Sequence, residues 1–160
     1  MCIRDSNSVD EITAGFGSEV EVILHLDGTA TVRDNGRGIP IGKHESGVSA
    51  LEVVMTTLHA GGKFDGRENV GYKTAGGLHG VGASCVNALS EWVKVQVRQG
   101  GKVYQQQYQR GIPQTDVEVV GKSRKTGTFT TFSPDPDIFE TVEFSHVFVA
   151  ECLRELAFLN

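Results

Sequence analysis

The sequence predicts an α+β chain: a two-layer sandwich whose mixed, mostly antiparallel sheet is covered by helices on one face. Two observations lead there. Alternating strands meet across short turn signals at Asp27-Gly28 and again at Gly100-Gly101, which marks antiparallel pairs. Segments of helical period lie between and after these pairs, and their apolar stripes need one sheet face to cover.

In chain order, residues 7–15 read as a short helix with Val9, Ile12 and Phe16 on one face and Asn7, Asp10 and Glu11 opposite, stopped by Gly15. Glu19–Leu26 alternates with Val20, Val22, Leu24 and Leu26 on one side, then turns into Thr29–Asp34. Asn35–Gly47 is loop. A helix over about 49–59 carries Leu51, Val54, Met55 and Leu58 as its buried stripe. Residues 60–79 have no period and hold six glycines, and long segments of that kind are usually lids or binding loops. A second helix, about 81–90, presents Val81, Cys85, Ala88 and Leu89. Trp92–Arg98 and Lys102–Gln109 form a hairpin, Val117–Val120 and Thr128–Phe132 add strands, and Ser145–Leu159 closes as an amphipathic helix through Phe148, Val149, Cys152, Leu153 and Leu156.

Composition narrows the function. At 160 residues, 39% hydrophobic and 22% charged, the chain suits one folded domain or a piece of a larger protein. Fifteen Lys and Arg against twenty Asp and Glu give a net charge of −5, which disfavours a phosphate-backbone grip as the main task of this chain alone. No apolar run is long enough to span a membrane, so no membrane partner is expected. Cys2, Cys85 and Cys152 show no paired spacing, which argues against a disulfide framework or zinc site and fits a reducing cytoplasm.

The twenty glycines are clustered, and three segments bear on chemistry. Gly76-Gly77-Leu78-His79-Gly80-Val81-Gly82 runs into a helix start, where bare backbone N–H groups suit a phosphate; a flexible hinge is the competing reading. It is neither a Walker A loop nor a dinucleotide fingerprint. Asp34-Asn35-Gly36-Arg37-Gly38-Ile39-Pro40 puts a carboxylate at a strand end, able to accept from an exocyclic amine, with glycines that let a flat base approach. Taken alone, a turn with a solvated Asp is the simpler explanation, and Arg37 is either a surface cation or a partner for Glu11. Asn7 with Asp10 and Glu11 offers oxygens suited to Mg²⁺, or simply the wet face of a helix. Lys63, Arg67, Tyr72 and Lys73 in the long loop are candidate phosphate and base contacts.

Order and co-occurrence of these segments carry a resemblance. Asn7–Glu11, Asp34–Pro40, Leu58-His-Ala-Gly-Gly-Lys-Phe64 and Gly76–Gly82 closely resemble the ATPase domain of the bacterial DNA gyrase B family. Gly111-Ile-Pro-Gln114, Lys125-Thr-Gly-Thr128 and Leu153–Asn160 extend it to the chain end. The paralogous topoisomerase IV protein is the near competitor, and a histidine-kinase core fits the Leu58–Phe64 stretch poorly.

The resemblance implies the Bergerat or GHKL ATP-binding fold over residues 7–160, truncated at both ends, with residues 1–6 a non-matching remnant. It implies ATP and Mg²⁺ as ligands. Asn7 would coordinate the metal, with Asp10 also among the nucleotide-binding residues; Asp34 would accept from the adenine amine; Gly38 would lie against the base, with Ile39 and Pro40 also binding nucleotide; and Thr128 would support the adenine-side network. Glu11 and Arg37 would pair at the pocket edge, where coumarin-type inhibitors bind. Lys63, Tyr72 and Lys73 would meet nucleotide from the lid, and Gly77, Leu78, His79, Gly80, Val81 and Gly82 would wrap the triphosphate. Ile3 stands where the family carries its general-base Glu, so no catalytic residue is assigned, and a nucleotide-binding module without turnover is the alternative for this chain. Implied partners are the gyrase A protein, DNA and, on binding ATP, a second copy of the domain.

Overall fold

The computed structural model describes residues 7–57 and 82–159. Among these described residues, four helices and seven strands follow one another as α1 (Asn7–Thr13), β1 (Val20–Leu24), β2 (Ala30–Asp34), α2 (Ala50–Thr56), α3 (Gly82–Ala88), β3 (Ser90–Gln99), β4 (Lys102–Gln109), β5 (Ile112–Pro113), β6 (Glu118–Lys122), β7 (Gly127–Pro134) and α4 (His146–Leu159). The strands form one sheet in the order β1-β2-β7-β3-β4-β5, with β6 also on β4, and every pairing among the described residues is antiparallel. The two expected hairpins are its two wings. The late strand β7 enters between them, and that placement joins β2 to β3.

Register assigns the faces. Val93, Val95 and Val97 of β3 stand opposite Phe132, Thr130 and Thr128 of β7 and opposite Tyr108, Gln106 and Tyr104 of β4. Continuing through Ala30 and Val32, this row reaches Leu24 and Val22. Leu51 and Met55 of α2 join the three valines, Tyr108 and Phe132 in one buried cluster, and Phe144 meets Phe132 edge-on with ring centroids 6.1 Å apart. Strands alternate, so Asp34, two residues beyond Val32, also points to this helix-covered face. The opposite face is polar: His25, Thr31 and Thr131 form a hydrogen-bonded chain, and the Arg98 guanidinium lies 4.0 Å from the Phe129 ring centroid.

Turn chemistry explains the strand ends. Asp27 Oδ1 accepts from the Thr29 amide and hydroxyl, which closes the first hairpin. Gly100 and Gly101 both take positive φ, +59° and +80°, which a two-residue hairpin turn demands and side chains resist. Ser49 caps α2, its hydroxyl accepting from the Glu52 amide at 3.0 Å, and Glu52 sits where a capping box puts its acid.

Several expectations are corrected. Leu26 lies past the end of β1 and is fully exposed. The buried face of α1 is Ser8 and Glu11, while Phe16 is exposed and Val9 and Ile12 are half-buried. In α3 the buried residues are Ser84 and Asn87, with Ala88 exposed, because the Asn87 amide donates to the carbonyls of Met55 (2.9 Å) and Gly111 (3.3 Å) and ties α3 to its neighbours. That helix also ends at Ala88, since Ser90 already pairs with Pro134. On α4, Cys152 is buried but Phe148 is exposed. The strand β5 has no counterpart in the sequence reading, because two residues are too few to show alternation.

Candidate functional site

Asp34 ends β2 and is 5% exposed, so it is not the solvated turn residue that its local sequence allows. Its Oδ1 accepts from the Gly36 amide at 2.9 Å and from the Thr128 amide at 3.1 Å. Its Oδ2 accepts from the Ser8 hydroxyl at 2.7 Å. The Thr128 hydroxyl in turn accepts from the Ile39 amide at 3.2 Å. Three separate elements, α1, the β2 end and β7, thus converge on one carboxylate, which makes Asp34 the organising group.

A second carboxylate lies beside it. Glu11 is 2% exposed, which no isolated reading of an amphipathic helix allows without a partner. Its Oε2 accepts from the Arg37 amide (2.9 Å) and Nε (3.3 Å), and its Oε1 accepts from the guanidinium NH2 at 2.9 Å. Arg37 is therefore the partner of Glu11, and its guanidinium stacks 3.4 Å from the centroid of Phe16. This stacking also accounts for Phe16 lying outward: it covers the cation rather than the core.

Glycines make these approaches physically possible. A Cβ at Gly36 would sit 2.8 Å from Glu11 Oε2, so α1 reaches the loop only because residue 36 has no side chain. A Cβ at Gly127 would lie 2.1 Å from the Asp34 carbonyl oxygen, and φ there is +133°. Gly38, at φ +85°, would bring a Cβ to 2.9 Å from Val97 Cγ1. The loop 35–40 is thereby laid against β3 and β7 with Ile39 buried, while Pro40 is exposed.

The structure brings together Glu11, Asp34, Arg37, Gly38, Ile39 and Thr128. Gly82 opens α3, with no described contact to this cluster. Asn7 and Asp10 lie on α1, and their side chains fall outside the described part of the structure. Ile3, Lys63, Tyr72, Lys73, Gly77, Leu78, His79, Gly80 and Val81 lie outside the described residues. Two participants carry no separate mark in the sequence reading. Ser8 stands inconspicuously beside Asn7, and Gly36 is one glycine within its motif; the i, i+3 spacing of Ser8 and Glu11 is the available signal for a polar buried face. Among the described residues no cluster of three or more His, Cys, Asp or Glu is placed to hold a metal. No helix there is long and apolar enough to cross a membrane.

The site is thus a buried carboxylate fixed by backbone amides at a strand end, on a helix-covered antiparallel sheet. Residues 6–138 match the family described as Histidine kinase-, DNA gyrase B-, and HSP90-like ATPase, and the chain belongs to that family. It is 54% identical over 158 residues to the B subunit of DNA gyrase from Archaeoglobus fulgidus, covering 96% of this chain and 24% of that protein. To the B subunit of DNA topoisomerase 4 from Bacillus subtilis it is 52% identical over 154 residues, covering 96% of this chain and 23% of that one. The 43K ATPase domain of Thermus thermophilus gyrase B, crystallised with an aminocoumarin, matches with a TM-score of 0.80 at 43% identity, over 96% of this chain and 37% of that chain. The chain spans about a quarter of the length of the curated relatives it matches.

Proposed function

We propose that this chain binds ATP with the adenine amino group donating to Asp34, and that it acts as the nucleotide-binding part of a gyrase B-type topoisomerase. The observation that carries the reading is the donor count on Asp34. An ionised carboxylate has about four acceptor sites; among the described residues three of them are taken, by Gly36, Thr128 and Ser8, and one remains for a ligand donor. A base with a keto oxygen in that place would set acceptor against acceptor, so the site favours an amino-bearing purine.

Around it, Gly38, Ile39 and Pro40 border the base and Thr128 braces the carboxylate. Asn7, with Asp10, would supply oxygen to a Mg²⁺ ion, which would compensate triphosphate charge and takes few protein ligands. Lys63, Tyr72 and Lys73 contact nucleotide, and the run from Gly77 to Gly82 holds phosphates by backbone amides. Glu11 and Arg37 form the pocket edge and the coumarin-type inhibitor site, in line with the aminocoumarin bound to the Thermus relative. In the longer protein, ATP binding would bring two copies of the domain together around DNA, with the gyrase A protein completing a supercoiling enzyme in the cytoplasm. The corresponding role in topoisomerase IV is the neighbouring reading, given the comparable identity to that relative.

For the chain itself, Ile3 at the general-base position favours binding without turnover, because an alkyl side chain takes no proton from water. Calorimetry with a non-hydrolysable ATP analogue, run beside a phosphate-release assay, tests both parts. Binding without release is the expected result. No binding at millimolar analogue would overturn the assignment.

A further inference from the structure

We propose that Ser8 is a positioning residue for base recognition: its hydroxyl locks Asp34 Oδ2 so that the one remaining acceptor site faces the ligand amine in a fixed direction. This rests on Asp34 being the base-recognising residue. The two backbone donors, Gly36 and Thr128, both act on Oδ1. They restrain the carboxylate plane from one oxygen alone, and the Cβ–Cγ torsion, with its broad and roughly two-fold profile, adds little restraint of its own. Ser8 approaches from a different element, α1, and holds the other oxygen at 2.7 Å. With Oδ1 and Oδ2 both held, the plane is restrained from two sides.

Direction matters because hydrogen bonds weaken steeply as their angle departs from linear. Ser8 and Asp34 are both buried, which limits the access of bulk water to Oδ2. Removing the hydroxyl leaves Oδ2 with two open acceptor sites, and only a ligand that uses Oδ2 senses the difference. The effect of Ser8 is therefore selective for the amino group of the base rather than for the ribose or the phosphates.

Calorimetry on the full chain, with a non-hydrolysable ATP analogue and its purine-riboside counterpart lacking the exocyclic amine, reads this directly. Ser8→Ala is expected to weaken the ATP analogue about 3- to 10-fold, the size of one ordinary hydrogen bond, and to change the purine-riboside analogue less than about twofold. Ser8→Thr, which keeps a hydroxyl, is expected to restore the preference. It also serves as the test if Ser8→Ala does not fold, in which case loss of the preference in a folded Ser8→Thr overturns the proposal. An equal loss for both analogues would assign Ser8 a general structural role and sink the inference, as would unchanged affinity for the ATP analogue. If wild type itself shows no preference for the amine, the reading of Asp34 fails first and takes this one with it.

Discussion

Asp34 and Thr128 are 94 positions apart, yet the Thr128 amide donates to Asp34 Oδ1 at 3.1 Å. That contact exists because β7 threads between β2 and β3, and Gly127 lets the two backbones close to a distance that any side chain would block. The loop after β2 is fastened to the same threonine through the Ile39 amide. The hydrogen-bond geometry at residue 34 therefore depends on a strand formed late in the chain.

Asp34→Asn should weaken nucleotide binding markedly without unfolding the protein. An amide keeps one oxygen but turns an NH2 toward either the backbone donors or Ser8, and it no longer offers a charged acceptor. Loss of a hydrogen bond to a charged group costs about 2 kcal/mol, roughly 30-fold in affinity. Calorimetry with the ATP analogue measures this, and unchanged affinity would remove Asp34 from the site.

Gly127→Ala should destabilise the fold by about 2 kcal/mol or more, because it combines positive φ with a backbone collision. Gly38→Ala should cost less: its nearest obstacle is the Val97 Cγ1 methyl, a side-chain atom with some freedom to shift, although φ is positive there too. Urea unfolding ranks the two, and the reverse order would show that loop 35–40 is pinned harder than the β2–β7 crossing.

Arg37→Ala removes the guanidinium bonds to Glu11 but leaves the backbone amide in place. The arginine side chain is 39% exposed, so solvent already screens part of the pair, and the expected cost is about 1–2 kcal/mol. Glu11→Gln should cost a similar amount, and the double variant should cost less than the sum, as the thermal midpoints of a double-mutant cycle would report.

The protein should lose stability above pH 10 in a way that depends on Tyr108. Burial, reinforced by the negative charge of Glu52, raises the Tyr108 phenol above its ordinary value near 10. Above that pH the unfolded chain releases this proton while the folded chain keeps it, so the contribution is complete below pH 10 and shrinks as pH rises. Tyr108→Phe should flatten that alkaline slope. At neutral pH it should cost about 1–2 kcal/mol, since the Gln106 side-chain Oε1 loses its donor. Denaturant midpoints at pH 8 and 11 compare the two proteins.

Strand alternation, turn residues and helical period suffice to place both hairpins, the main helices and the α+β class, because those signals act over neighbouring residues. Segment order and the motifs at 7–11, 34–40 and 76–82 suffice for the family resemblance. The face of α1 departs from its periodicity for a physical reason: amphipathicity assumes that polar residues seek water, whereas Ser8 and Glu11 are buried against partners at 34 and 37. Likewise Asn87 sits inward to hold two carbonyls that nothing in its local sequence reveals.

What the sequence determined by itself was the list of elements, the turn geometry demanded by Gly100-Gly101, and the kind of chemistry that a strand-end Asp among glycines allows. Only the tertiary structure decided that β7 lies between the hairpins, that Arg37 belongs to Glu11, and that three donors among the described residues converge on Asp34. Those outcomes depend on which distant donors reach a buried oxygen, and proximity of that kind is created by sheet order rather than by any local pattern.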